Sequence, residues 1–216
     1  MSIEIFVMPL TRYKMGEFET PLQRMFGDKV RYVYPNQWYF WFSARKQVKQ
    51  IRKAVLKANG AIAKWNESGK CVYSEQCHED SMPALRAFAC WIYGGKQPED
   101  FSFPESGDYY KHPARKFEND QINQSHLIGG GCYNDYVLPV EFEHVVEVEP
   151  YKIFGHWDAT RSVTSAIRIH RELKQLKDSV SLLSEDEFWD VHVGYMQYSK
   201  VVELALQHQY PIIFWG

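Results

Sequence analysis

The chain has 216 residues, of which 45% are hydrophobic and 24% charged, so it can bury a substantial core. No apolar run approaches the roughly 18–20 residues that a membrane-spanning helix needs, and the opening MSIEIFVMPLTRYK lacks the uninterrupted apolar segment of a secretory signal. These features argue against membrane-spanning and secreted classes and predict one cytoplasmic domain, residues 1–216, with reduced thiols.

The first part of the chain is predicted to contain two strands and one long helix. β-branched and aromatic residues at 2–8 predict a strand that Pro9 closes. The aromatic run at 38–42 predicts a second, buried strand. Ser43 then caps a helix over residues 43–59, and Gly60 follows its end.

The middle of the chain alternates regular elements with turn-forming residues. Residues 61–73 are consistent with a hairpin around Asn66 and Gly69. Residues 82–93 are strongly apolar and predict a buried helix. The stretch at about 96–124 is polar and contains three prolines, so we expect a long loop-rich excursion.

The last part of the chain is predicted to end in a helix and a strand. A strand is expected at 136–142 and a helix at 161–177. Ser184 with Glu187 forms a capping box that predicts the start of the final helix. Residues 210–215 (YPIIFW) predict a strand of the main sheet, with Pro211 favouring an edge position. Together these elements predict an α+β fold, with a mixed sheet packed by about four helices.

The charge of the chain is unevenly distributed along its length. Residues 1–70 hold 13 Lys and Arg against 5 Asp and Glu, a net charge of +8, and residues 71–216 hold 12 against 22, a net charge of −10. Either the two parts neutralise each other in the fold, or one of them steers an oppositely charged partner.

Two segments with one sign of charge are candidate binding surfaces. The helix over 43–59 has a basic face that could follow a phosphate backbone; its residues are Arg45, Lys46, Lys49, Arg52, Lys53 and Lys57. Acids alternate along a strand-like run, where one face would carry them all; they are Glu141, Glu143, Glu147 and Glu149. Solvated helix and edge-strand faces are the simpler interpretation of both segments.

The loop before residue 162 holds a dense mixture of functional side chains. His156, Trp157, Asp158 and Arg161 lie within six positions, and exposed Trp and Arg dominate recognition surfaces. Asp158 also has the residue type of a helix N-cap. We therefore predict that this loop and the acidic run form the partner-binding site.

The cysteine and glycine residues indicate functional sites less strongly than the charged segments do. Cys71, Cys77 and His78 could supply part of a zinc site, but their spacing differs from the close pairs of structural zinc, so we expect no metal and no cofactor. Cys132 with a histidine between 126 and 158 is the only set suited to a cysteine hydrolase. The glycines at 129–131 lack the following helix of a phosphate loop and predict a β-turn.

Several short motifs resemble a segment found in small uncharacterised bacterial proteins. They are His126-Leu127-Ile128, the Y-x-L-P-V-x-F strand at 136–142, Ser162 with Ser165, Arg171-Glu172-Leu173, and the opening IFVMPL at 5–10. Proteins of this size and composition also resemble immunity proteins and phage-conflict proteins. The resemblance implies a structural framework and carries no catalytic residue.

The sequence therefore predicts a non-enzymatic binding protein of the immunity or inhibitor kind. Its acidic C-terminal half and its aromatic residues, which make up 16% of the chain, would cover a basic surface of a protein partner such as a toxin, phage or host protein. One alternative is a nucleic-acid-associated protein that uses the helix over 43–59. The other is a hydrolase or transferase with a Cys/His site near 126–158.

Overall fold

Six strands of the described chain form one mixed sheet. The computed structural model describes residues 3–26, 38–60, 64–104, 108–118, 124–130, 135–148, 152–153, 156–157 and 161–215. The strands of the sheet are β1 (Ile3–Val7), β2 (Tyr73–Cys77), β3 (Tyr136–Leu138), β4 (Val146–Val148), β7 (Arg161–Ser165) and β8 (Ile212–Trp215). Their order is β2-β1-β8-β3-β7-β4, in which β3 and β7 are parallel and all other neighbours antiparallel. Two further strands, β5 (Lys152–Ile153) and β6 (His156–Trp157), pair with each other.

Seven α-helices are present in the described residues. They are α1 (Leu10–Lys14), α2 (Pro21–Phe26), α3 (Trp38–Asn59), α4 (Ser81–Tyr93), α5 (His126–Gly129), α6 (Ala166–Ser181) and α7 (Trp189–His208). Three short 3-10 helices, Pro98–Asp100, Tyr109–Lys111 and Pro113–Phe117, occupy the predicted loop-rich excursion. The predicted α+β class with a mixed sheet is confirmed. No helix in the described ranges has the length and apolar character needed to cross a membrane.

The sheet separates two hydrophobic cores because successive strand residues point to opposite faces. Ile3 and Ile5 of β1 pack in the core that contains α4, α6 and α7, whereas Phe6 packs in the core that contains α3. On α3 the helical spacing of Ala44, Val48, Ile51, Val55 and Ala58 predicts a core face. The first four are buried as predicted, whereas Ala58 is exposed. The long helices therefore cover the sheet from both sides.

Two predicted boundaries were wrong where aromatic or β-branched residues adjoin a helix. Residues 38–42 were predicted as a strand but form the first turns of α3, because a helix propagates more easily than it nucleates and tertiary context overrides β propensity. Residues 161–165 were predicted as helix but form β7. Ser165 then caps α6, since its hydroxyl accepts the Arg168 N–H at 3.2 Å.

The end of the chain also differs from its prediction. α7 begins at Trp189 rather than next to Ser184, although the Ser184 hydroxyl does accept the Glu187 N–H at 3.4 Å. β8 lies inside the sheet between β1 and β3, not at an edge. Pro211 is compatible with this place because it precedes the strand and leaves the strand's own N–H groups intact.

Candidate functional site

The four acids predicted to share one strand face do not lie on one strand. β3 ends at Leu138, just before Pro139, and Glu141 and Glu143 follow in irregular backbone, whereas Glu147 lies on β4. Glu149 lies outside the described residues. The Glu141 carboxylate accepts a hydrogen bond from Arg171, which lowers its pKa below the usual range. The predicted arrangement of these acids on one strand face is therefore wrong, whereas their role in partner binding stays a prediction.

The loop predicted as a recognition site is described only in part. His156 and Trp157 form β6, while their side chains and Asp158 lie outside what the structure describes. Arg161 begins β7, and its guanidinium lies over the Tyr136 ring at 5.2 Å from the centroid. The recognition role of these residues stays a prediction.

The basic face predicted on α3 is present. All its cations are exposed except Arg52, which is half-buried with its guanidinium 4.6 Å from the ring centroid of Trp65. Lys57 and Glu147 line the same groove of about 490 Å³ between α3 and β4. The Asn59 amide also donates to the Glu141 carbonyl at 3.0 Å. Part of the acidic half of the chain thus lies directly beside the basic helix.

His126 has a structural environment rather than that of a catalytic base. It is 1% exposed, its Nδ1 accepts the Ser165 N–H at 2.9 Å, and its Nε2 donates to the Glu143 carbonyl at 3.0 Å. Burial lowers the pKa of His126 to about 4. Cys132 lies outside the described residues, so the cysteine hydrolase alternative stays a prediction.

The glycines at 129–131 were predicted as a β-turn, but Gly129 ends α5 and Gly130 caps it, while Gly131 lies outside the described residues. A Cβ at Gly130 would lie 2.4 Å from Cγ2 of Thr164, so this position requires glycine for close packing.

The described residues contain one group of three side chains suited to binding a metal ion. His78 follows β2, Asp80 precedes α4, and Asp190 lies in the first turn of α7. One ligand atom from each side chain lies within 4.8 Å of the other two. His78 Nδ1 is 3.1 Å from Asp190 Oδ1, which is within ion-pair distance.

Close helix packing places the two aspartates next to each other. Gly194 of α7 lies against the backbone of α4, so that a Cβ there would be 2.3 Å from the Ser81 carbonyl oxygen. Asp190 is one helical turn before Gly194, and Asp80 is the neighbour of Ser81. The contact therefore fixes the two carboxylates against each other, although Asp190 is 110 positions beyond Asp80.

The environment of the cluster disfavours uncompensated negative charge. Burial raises the pKa of Asp190, and the negative charge of Asp80 raises it further, while His78 opposes both. Tyr109 lies beside them: it is 2% exposed, and its hydroxyl has no hydrogen-bond partner among the described residues. Its pKa is raised by burial and then by the charges of Asp190 and Asp80.

Two exposed aromatic side chains lie near the cluster at the protein surface. Trp189 is 49% exposed and packs edge-to-face on the His78 ring, with centroids 5.2 Å apart. Phe103 is 47% exposed and stacks on Phe188 at 5.6 Å. We call this surface the acidic–aromatic face; it comprises His78, Asp80, Phe103, Glu185, Asp186, Glu187, Trp189 and Asp190.

Sequence reasoning missed this face for identifiable reasons. Glu187 has the place of a capping-box residue after Ser184, and His78 follows Cys77 in a partial zinc pattern, so the sequence indicated other roles for these residues. Cys71 instead donates to the Tyr73 carbonyl at 3.0 Å, and Cys77 donates to Gln197 Oε1 at 2.9 Å. The available signals were the runs His78-Glu79-Asp80 and Trp189-Asp190.

Comparison of the chain with protein-family models, with curated proteins and with solved structures gave no match.

Proposed function

We propose that this protein is a binding protein of the immunity or inhibitor kind, which uses the acidic–aromatic face to cover a basic surface of a protein partner. The observation that carries the proposal is Trp189, a large apolar side chain that stays 49% exposed among carboxylates.

Trp189 has the properties of an interface anchor. Tryptophan is enriched among the few residues that supply most of the binding energy of protein interfaces. The edge-to-face contact with His78 restrains the indole ring before any partner arrives. Such preorganisation reduces the entropy lost on binding.

The charges around Trp189 favour a basic partner. Glu185, Asp186 and Glu187 are exposed in the turn that leads into α7, and Asp190 follows Trp189 directly. A group of like charges around an apolar anchor attracts a surface of opposite charge and accelerates its association. The face belongs to the half of the chain with a net charge of −10, the half that the sequence also favours for partner binding, but its residues differ from the acids at 141–149.

The proposal is tested by quantitative affinity capture from the native host with matched variants. Wild type is compared with a variant carrying Glu185→Lys, Asp186→Lys and Trp189→Ala. The control is Glu203→Lys, an exposed acid on α7 about 20 Å along the helix from Asp190.

We expect at least one basic protein that wild type and the control capture equally and that the triple variant loses. The purified pair should then associate more slowly as the salt concentration rises, because salt screens the steering charges. Identical sets of captured proteins for wild type and the triple variant would contradict the proposal.

A second candidate function is binding of nucleic acid along α3. Arg45, Lys49, Lys53 and Lys57 are exposed at four-residue spacing, which places successive cations about 6 Å apart along the helix. α3 contains no acid. Such a row can follow the phosphates of one strand.

This candidate is tested by fluorescence anisotropy with labelled single- and double-stranded DNA. Reversing Lys49, Lys53 and Lys57 to Glu should abolish binding and its salt dependence, since these cations would release the counterions. Reversing the exposed Lys174 and Lys177 of α6 is the control. Equal losses of DNA binding in both variants would show that binding depends only on the net charge of the protein and would contradict a role of the α3 face.

A further inference from the structure

The cluster beneath Trp189 has the composition of a metal site. We propose that His78, Asp80 and Asp190 bind one divalent transition-metal ion, such as Zn²⁺ or Mn²⁺, through an imidazole nitrogen and two carboxylate oxygens. Imidazole and carboxylate ligands suit such ions, and three protein ligands leave a position for water or a partner side chain.

The positions of the three ligands fit this assignment. Ligands about 2.1 Å from a tetrahedral ion lie about 3.4 Å apart. The ligand atoms here lie within 4.8 Å of one another, so closing the site requires only small side-chain rotations. The His78 side chain is 48% exposed and can make the largest adjustment, while the contact between Gly194 and Ser81 holds the two aspartates.

The Tyr109 hydroxyl, which is enclosed and has no hydrogen-bond partner among the described residues, points independently to a ligand at this cluster. Asp190 Oδ1 has almost no accessible surface, and the Nδ1 atom of His78 lies 3.1 Å from it, at ion-pair distance. The Tyr109 hydroxyl is close enough to Asp190 and Asp80 for their charges to act on it. A buried polar group without a partner is costly. A cation held by the aspartates would neutralise their charges, and a water bound to it would be a hydrogen-bond partner for the Tyr109 hydroxyl.

The inference does not depend on a protein partner. It adds a role for His78, which would tie the end of β2 to the start of α7. An ion at this point stabilises the folded chain because the unfolded chain does not bring the three ligands together.

Isothermal titration calorimetry with ZnCl₂ and with MnCl₂ tests the inference on purified protein that has been treated with chelator and dialysed. We expect saturable binding of one ion per chain for at least one of the two salts. Replacing a single ligand, in His78→Gln or Asp190→Asn, should weaken binding at least ~10-fold. The control Glu185→Gln/Asp186→Asn removes nearby acids and should bind like wild type.

Two further readouts separate the site from nonspecific binding by surface acids. The ion should change the tryptophan fluorescence of wild type, and most of this change should disappear in Trp189→Phe, because the indole ring contacts His78. Circular dichroism checks that His78→Gln, which alters a half-exposed side chain, remains folded. Absence of saturable binding for both ions, or unchanged binding by folded His78→Gln, would overturn the inference.

Discussion

Acidification should destabilise this protein through His126. The imidazole is buried as the neutral tautomer, with Nδ1 accepting from Ser165 and the protonated Nε2 donating to Glu143. Protonation of the neutral ring would add a proton to Nδ1. This N–H would face the Ser165 N–H, so that two hydrogen-bond donors would point at each other. Burial is the main cause that lowers the pKa, and the positive charges of Arg168 and His144 add to it.

The size of this acid destabilisation follows from the difference between the pKa values of His126 in the folded and unfolded states. The folded pKa of His126 is about 4, against 6.5 for an unperturbed histidine. Between these values the unfolded chain binds more protons, so the stabilisation is complete above pH 6.5 and is lost as the pH falls towards 4. A difference of this size corresponds to about 3 kcal/mol in the free energy of unfolding.

The assay is urea denaturation at several pH values, followed by circular dichroism, for wild type and His126→Gln. Glutamine offers one acceptor and one donor but does not titrate. The loss of stability between neutral pH and pH 4 should be about 3 kcal/mol larger for wild type than for the variant. Burial also lowers the pKa of His112, but His112 is present in both proteins and cancels in the comparison. Equal losses in the two proteins, or a titration of His126 near 6.5 by NMR, would refute the reasoning.

Two further substitutions test the packing and capping of the fold. Gly194→Ala should lower the free energy of unfolding by about 1–3 kcal/mol, because its Cβ would clash with the Ser81 carbonyl oxygen at 2.3 Å. Thermal denaturation checks this prediction. The control Met196→Ala replaces an exposed residue of the same helix and should change the free energy of unfolding little. Glu172→Ala should lower the free energy of unfolding by about 2–3 kcal/mol, because the carboxylate accepts hydrogen bonds from the backbone N–H groups of His126 and Leu127 at 2.8 and 3.2 Å. Glu172→Gln keeps one acceptor oxygen and should retain part of this stability; an alanine variant as stable as wild type would rule out the capping role.

The sequence by itself determined the elements whose signals are local. The apolar run over residues 82–93 predicted α4, which the structure confirms. Helical spacing identified Val48 and Ile51 as the core face of α3. These predictions succeeded because hydrophobic periodicity and helix capping depend only on residues a few helical turns apart in the chain.

Boundaries between a helix and adjoining aromatic or β-branched residues were less predictable. Residues 38–42 have a strong β propensity but continue α3, and 161–165 were read as helix but pair with β3 and β4. In both cases the outcome depends on which distant segment packs against the residues, and the local pattern does not contain that information.

Only the tertiary structure decided which charged residues meet. The acids at 141 and 147, close in the chain, lie on different segments, while Asp80 and Asp190, far apart in the chain, share one cluster with His78. Their meeting depends on the close approach of α4 and α7 at Gly194, a contact between two helices that are separate in sequence. A sequence specifies such a contact through the packing of the whole core, so the candidate site could be located only once the fold was known.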